Sequence, residues 1–218
     1  MSDILYESAV FYKNQLMNRK FTFNLQKKAG RDKLQLDVIF SADNYKHLFG
    51  LHKLDDKPYI KTRASSTIFK SILDKEITYE MIKDSPNLHY LNNRLDKYAD
   101  VRNVINSKSL FLKSLSEFIK SSYGTNVDEE NYLITEQIKN NDINQEVPYL
   151  FLVKQKAENV AHPKSFFVDK AGKYRNNAVI WTITSIQEKF KDGTVVLHNL
   201  PDDDLLAGVD TNNQTATD

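Results

Sequence analysis

Phe21, Phe23 and Leu25 alternate with Thr22, Asn24 and Gln26, and after a polar turn containing Gly30, Leu34, Leu36, Val38 and Phe40 alternate with Lys33, Gln35 and Asp37. A period of two puts each apolar set on one side of a pleated strand, so this segment is expected to fold as a β-hairpin with one buried face. Such a face needs cover. Upstream, Leu5, Ala9, Tyr12 and Leu16 recur at spacings of three and four between Ile4 and Met17, which is a helical stripe. Downstream, Ser41 or Asp43 can cap a further helix, because a short side-chain oxygen accepts from the free N–H groups of a first turn.

Residues 65–84 and 87–106 read as two or three more helices, separated by Pro86, with Ile68, Ile72 and Leu73 on one face and Leu88, Leu91, Leu95, Tyr98, Val101, Val104 and Ile105 on another. After Ser107, the residues Leu110, Leu112, Leu115, Phe118 and Ile119 satisfy either period. From Asn131 onward the patterns are those of strands: Tyr132–Ile138, Pro148–Lys154, Ser165–Val168, Ala178–Glu188 and Thr194–His198. Turns at Gly172 and Asp192-Gly193 divide them, which predicts an antiparallel meander and an α+β class. We expect a single domain over residues 1–198. Asp202–Asp218 has no aromatic residue and, apart from Val209, no large β-branched one, so residues 199–218 read as a flexible acidic tail.

Charge separates the same two parts. The net charge is +1, but residues 199–218 hold five aspartates and no Lys or Arg, so residues 1–198 carry +6. A basic body favours a polyanionic partner. No cysteine is present, which excludes disulfides, thiolate metal sites and a cysteine nucleophile, and which fits a reducing cytoplasm. No apolar run approaches the roughly 20 residues of a membrane helix, and the N-terminus lacks the basic flank and cleavage site of a signal peptide. A cytoplasmic protein without membrane contact is expected. Glycine-rich phosphate loops are absent too, which counts against nucleotide hydrolysis and dinucleotide redox chemistry.

Chemistry concentrates in Asn44-Tyr45-Lys46-His47-Leu48-Phe49-Gly50-Leu51-His52-Lys53-Leu54-Asp55-Asp56. Histidine titrates near neutral pH, so His47 suits either proton transfer or a core-edge position with its ring bonded to a carbonyl. His47 and His52 are five residues apart, about 140° around an ideal helix, whereas paired zinc histidines sit four apart on one face. We therefore expect no metal and no cofactor. Gly50 either ends the helix or admits a close neighbour, and Lys53 can meet a phosphate or simply stay solvated. In Tyr59-Ile60-Lys61-Thr62-Arg63, an extended chain would point Lys61 and Arg63 to one side, where they could hold a phosphodiester. Later, His162-Pro163-Lys164-Ser165 joins a histidine, a lysine and a hydroxyl at a strand start, and Tyr174-Arg175 precedes a strand carrying Thr182 and Thr184. His162, Tyr174 and Thr182 are candidate contacts to phosphate or ribose oxygens. Ser165 lacks the glycine-flanked elbow of a serine nucleophile.

The run Tyr45 to Asp56 after a hairpin strand, with Lys164-Ser165-Phe166-Phe167 and the Trp181-Thr182 strand, resembles the phage-type barnase, EndoU, colicin and RelE-like nuclease families over roughly residues 1–198. The resemblance implies N-terminal helices and a β-hairpin packed on a C-terminal curved antiparallel sheet. It also implies metal-independent RNA cleavage by attack of a ribose 2'-hydroxyl, in an effector encoded by a phage, plasmid or conjugative element of bacteria. By position it makes His47 the acid or base, with His52 and Lys53 beside it, and Arg63, Ser165 and Thr182 as phosphate or ribose contacts; in all, His47, His52, Arg63 and Ser165 stand as the catalytic candidates. The alternative is a binding protein using the same surface, such as an anti-CRISPR-like inhibitor whose partner is a host defence nuclease, a ribonucleoprotein or its guide RNA.

Overall fold

The computed structural model describes residues 3–106, 110–114, 129–135, 142, 144–155, 158–170, 174 and 178–198. Helix α1 (Ile4–Gln15) opens on Asp3, whose Oδ1 accepts from the backbone N–H groups of Leu5 and Tyr6 at 3.0 and 3.2 Å. The same carboxylate accepts from Tyr79 N, and so ties the start of α1 to a segment 76 residues away. Its expected stripe is the buried one: Leu5, Ala9, Tyr12 and the following Leu16 are inaccessible to solvent.

Strands β1 (Lys20–Lys27) and β2 (Lys33–Ile39) form the expected antiparallel hairpin, with Phe21 opposite Val38, Phe23 opposite Leu36 and Leu25 opposite Leu34. The helices follow in a run of short pieces: α2 (Ala42–Leu48), a 3-10 turn at Leu51–Lys53, α3 (Pro58–Lys61), α4 (Ser65–Leu73), α5 (Tyr79–Ile82), α6 (His89–Leu95) and α7 (Asp100–Asn106). They lock onto α1 through aromatic contacts. The Tyr12 ring meets Phe40, Tyr45, Phe49 and Phe69 edge-on at centroid separations of 5.3 to 6.2 Å, an arrangement that suits the ring quadrupoles. Buried hydroxyls there are all partnered, Tyr12 donating to Ser41 O at 2.8 Å and Tyr45 sharing a hydrogen bond of 2.7 Å with Ser8.

The remaining strands are β3 (Leu110–Ser114), β4 (Glu129–Thr135), β5 (Glu146–Gln155), β6 (Val160–Lys170), β7 (Ala178–Lys189) and β8 (Val195–His198). Their order is β1-β2-β6-β5-β4-β3-β7-β8, with an additional pairing of β1 to β7 that curls the sheet back toward its own beginning. The ambiguous stretch after Ser107 is therefore a strand where it is described. Leu115, Phe118, Ile119, residues 136–138, the Gly172 turn, Arg175 and Asp202–Asp218 lie outside the described residues.

In three respects the sheet differs from the expected meander, the first being that β7 follows β6 in sequence but pairs with β3 and β1 instead. β6 starts at Val160, five residues before the predicted Ser165, and its first residues pair with β2 in parallel, Asp37 to Val160 and Val38 to Ala161. Pro163 hid this extension, because a proline lacks the N–H that a central strand requires. The strand accommodates it beside a bulge: against β5, Ser165 faces Phe151 and Pro163 faces Leu152, which leaves Lys164 as an extra residue. The helices and one sheet face share the main core. A second cluster of Leu133, Val147, Tyr149 and Phe151, with Phe167 and Tyr174 against it, forms separately from that core.

The most deeply buried carboxylate among the described residues ties the two ends of the fold together. Glu188 of β7 is 1% exposed and receives Arg19 at 2.5 Å, Arg102 at 2.5 Å and His198 at 2.9 Å. Burial by itself would raise its carboxyl, but the hydrogen bonds from Arg102, Arg19 and His198 hold it down to about 2. The cluster joins α7, the start of β1, β7 and β8.

Candidate active site

Helix α2 is placed with little freedom. Asn44 Oδ1 accepts from Ser41 N at 2.8 Å and from Ser41 Oγ at 2.9 Å, which fixes the first turn. Lys46, 6% exposed, sends its ammonium to the carbonyls of Lys61 and Arg63 at 3.0 Å each, and its own N–H donates to Ser65 Oγ at 3.1 Å. Tyr45 and Leu48 fill the core. With these neighbours committed inward or sideways, His47 is left half-buried at the edge of the helix.

Gly50 then ends α2. Its φ of +81° lies in the left-handed region that glycine enters at no steric cost, and the 3-10 turn beyond it reverses the chain. The reversal sets the His52 ring against His47 with centroids 4.6 Å apart and planes tilted by 35°. The separation of about 140° assumed one continuous helix; because the helix stops, the two imidazoles meet instead. His52 Nδ1 is buried with no hydrogen-bond partner. Arg94 of α6 packs against Gly50, donating to Leu48 O at 3.4 Å and Ser165 Oγ at 3.1 Å. It thus bonds both the end of α2 and the bulged part of β6.

Between those two elements lies a cavity of about 230 Å³, with Asp43, Asn44 and His47 from α2 on one side and His162, Pro163 and Lys164 of β6, beside Val153 of β5, on the other. The bulge that re-aims β6 is the one at Lys164. Burial lowers the His47 pKa, and the positive charges of Lys164 and Lys46 lower it further. His52 is pushed down to about 4 by burial first, then by His47 and Lys53, while the backbone of Lys46 opposes the shift. A neutral imidazole with an available lone pair and a lysine ammonium therefore meet in one cleft. Such a set can accept a proton and hold an anionic oxygen.

The other sequence candidates stand elsewhere. Lys61 and Arg63 are not in an extended segment, because Pro58 starts a helix at Lys57-Pro58 and Lys61 ends it; Lys61 pairs instead with Asp55 at 2.9 Å, and Arg63 is exposed. Lys53 is exposed at the end of the 3-10 turn. Ser165 is 4% exposed and lies behind Arg94 rather than on the cavity wall. Tyr174 belongs to the second apolar cluster, edge-on to Tyr149 at 5.0 Å. Thr182 sits in β7 between Gln26 of β1 and Leu110 of β3. Asn44 and Lys164 stood within the two motifs read from the sequence but were given no role there, although Lys164 lies next to His162 and the strand-breaking Pro163. Among the described residues, no group of three or more His, Asp or Glu is arranged to hold a metal ion.

The model of a family described as phage-Barnase-EndoU-ColicinE5/D-RelE like nuclease 4 matches residues 4–192. The chain belongs to this family. No curated protein and no solved structure matches it. The match to the phage-barnase-EndoU-colicin-RelE-like nucleases runs through every residue of the cavity, from Asp43 to Lys164. A nuclease family implies a nucleic acid substrate, and the net charge of +6 on residues 1–198 suits one. No described helix is long and apolar enough to cross a membrane.

Proposed function

We propose that the protein is a metal-independent endoribonuclease, acting as an effector carried by a bacterial mobile element, and that His47, His162 and Lys164 perform the chemistry. The observation that carries this reading is their convergence on one cavity from α2 and from the β6 bulge. Neutral His47 accepts the proton of a ribose 2'-hydroxyl as its oxygen attacks the adjacent phosphorus. His162 delivers a proton to the departing 5'-oxygen as the P–O5' bond breaks. The products are a 2',3'-cyclic phosphate and a 5'-hydroxyl end, and the two histidines exchange protonation states. Lys164 stabilises the negative charge that builds on the non-bridging oxygens. His52 keeps the His47 ring in place by contact rather than by touching substrate.

Incubating the purified protein with mixed cellular RNA in excess EDTA tests the reading. Cleavage leaving cyclic phosphate ends is expected, and His47→Ala or His162→Ala should each lower the rate by about 100-fold or more, the scale of a lost acid or base. Cleavage that is absent, or that survives both substitutions unchanged, would refute it.

A further inference from the structure

A second concavity, of about 540 Å³, opens at the end of the first hairpin that is remote from the histidines, walled by Asn24, Gln26, Lys33, Gln35, Thr184 and Ser185. It too arises at a bulge. The β1–β7 register shifts so that Ser185 faces Asn24 and Ile183 faces Leu25, leaving Thr184 over. Thr184 Oγ1 donates to Asn24 O at 3.0 Å and Asn24 Nδ2 donates to Ser185 Oγ at 2.8 Å, which fixes this wall. Gln26, two residues along β1 from Asn24, and Gln35, opposite Asn24 on β2, are both exposed.

Directly beyond the groove is the hairpin tip. Residues 27–33 hold Lys27, Lys28, Arg31 and Lys33 against a single Asp32, a net charge of +3, which is half of the +6 carried by residues 1–198. Lys28, Arg31 and Lys33 are exposed, and the one ion pair there, Lys27 with Asp32 at 3.5 Å, joins two solvated side chains and neutralises little.

The groove and the histidine cavity are also connected by strand register. Asp37 of β2 stands opposite Val160 of β6 in parallel. Alternation then puts Lys33, Gln35 and Asp37 on the same face as Val160 and His162. Two residues on from the Asp37–Val160 pair, His162 is level with Ile39, about 20 Å along β2 from Lys33 at roughly 3.3 Å per residue.

We propose that the hairpin tip and its groove form an exosite for single-stranded RNA, with phosphates held by Lys28, Arg31 and Lys33 and base edges by Gln26 and Gln35. The strand continues along this face to the His47 cavity, and this last clause alone rests on the RNA-cleavage reading. Amides can reach Watson–Crick edges only when the bases are unpaired, so a duplex is a poor occupant.

The test is fluorescence anisotropy of a labelled single-stranded RNA of about 12 nucleotides, in EDTA, with the full chain carrying His47→Ala to prevent turnover. The reference is that chain alone; the variants add Lys28→Glu, Arg31→Glu and Lys33→Glu together, or Gln26→Ala with Gln35→Ala. The charge variant should bind at least tenfold more weakly, and its slope of log affinity against log salt should flatten by about 2, at roughly 0.7 per lost phosphate contact. The glutamine variant should bind more weakly with its slope unchanged, and a duplex of equal length should compete poorly. Unchanged affinity in the charge variant, or equal competition by the duplex, would overturn the exosite. If wild type binds in this pattern yet cleaves no RNA, the exosite stands and the catalytic reading falls.

Discussion

The guanidinium of Arg94 lies 3.2 Å from the point where a Cβ on Gly50 would stand. Glycine is therefore required at position 50 twice over, for its left-handed φ and for the room that lets Arg94 reach Leu48 O and Ser165 Oγ. Gly50→Ala should cost about 1–2 kcal/mol in backbone strain, plus part of the Arg94 hydrogen bonds, worth about 1.5–3 kcal/mol for a charged donor. Chemical denaturation measures the total. A change under about 0.5 kcal/mol, the size of an ordinary surface substitution, would contradict this account.

Lys164 depresses the His47 pKa across the cavity. Lys164→Met should raise it, because removing a nearby positive charge eases protonation of the ring. The imidazole resonances of His47, followed by NMR over a pH series, should shift to a higher midpoint. In the proposed RNA cleavage His47 must be deprotonated to act as base, so the acidic limb of kcat/KM for that reaction should move to higher pH as well. An unmoved or lowered midpoint would argue against the contact.

His52 titrates at about 4 in the folded protein, against roughly 6.5 in an unfolded chain. A group whose folded pKa is depressed stabilises the fold above its unfolded pKa and loses that contribution as pH falls. Stability should accordingly decline between about pH 6.5 and pH 4. His52→Phe keeps a ring against His47 but cannot be protonated, and it should flatten that part of the curve in urea titrations taken at several pH values.

Glu188 has the same sign at lower pH. Its folded value of about 2 means that its contribution is present above the ordinary carboxylate range and is lost as pH falls toward 2. Glu188→Gln leaves Arg19 and Arg102 without their shared counter-charge, and a loss of about 3–5 kcal/mol is expected, typical of breaking a buried ion pair from one side. Urea unfolding near neutral pH gives the comparison; a loss under about 1 kcal/mol would mean the cluster is dispensable.

Much of the architecture was legible before any tertiary structure, because periodicity is a local property. Phe21, Phe23 and Leu25 against Leu34, Leu36 and Val38 specify both the hairpin and its buried face, and the stripe from Leu5 to Leu16 specifies what α1 buries. Gly50 was open to two readings, a helix end or room for a close neighbour, and it serves as both. The run from Tyr45 to Asp56 marked His47, and the family match extends over that run.

What local pattern could not supply was convergence. His47 and His162 are about 115 residues apart in the chain, and they share a cavity only because β6 begins early enough to pair with β2 beside the start of α2. Pro163 concealed that extension, and the bulge that re-aims Lys164 depends on which residues of β5 stand opposite. The stacking of His52 on His47 likewise follows from a helix that stops and a chain that turns back. By itself, then, the sequence determined elements, faces and the basic character of the body; pairing register between distant strands decided which of its histidines and lysines meet, since register is set by long-range packing and not by the residues on either side.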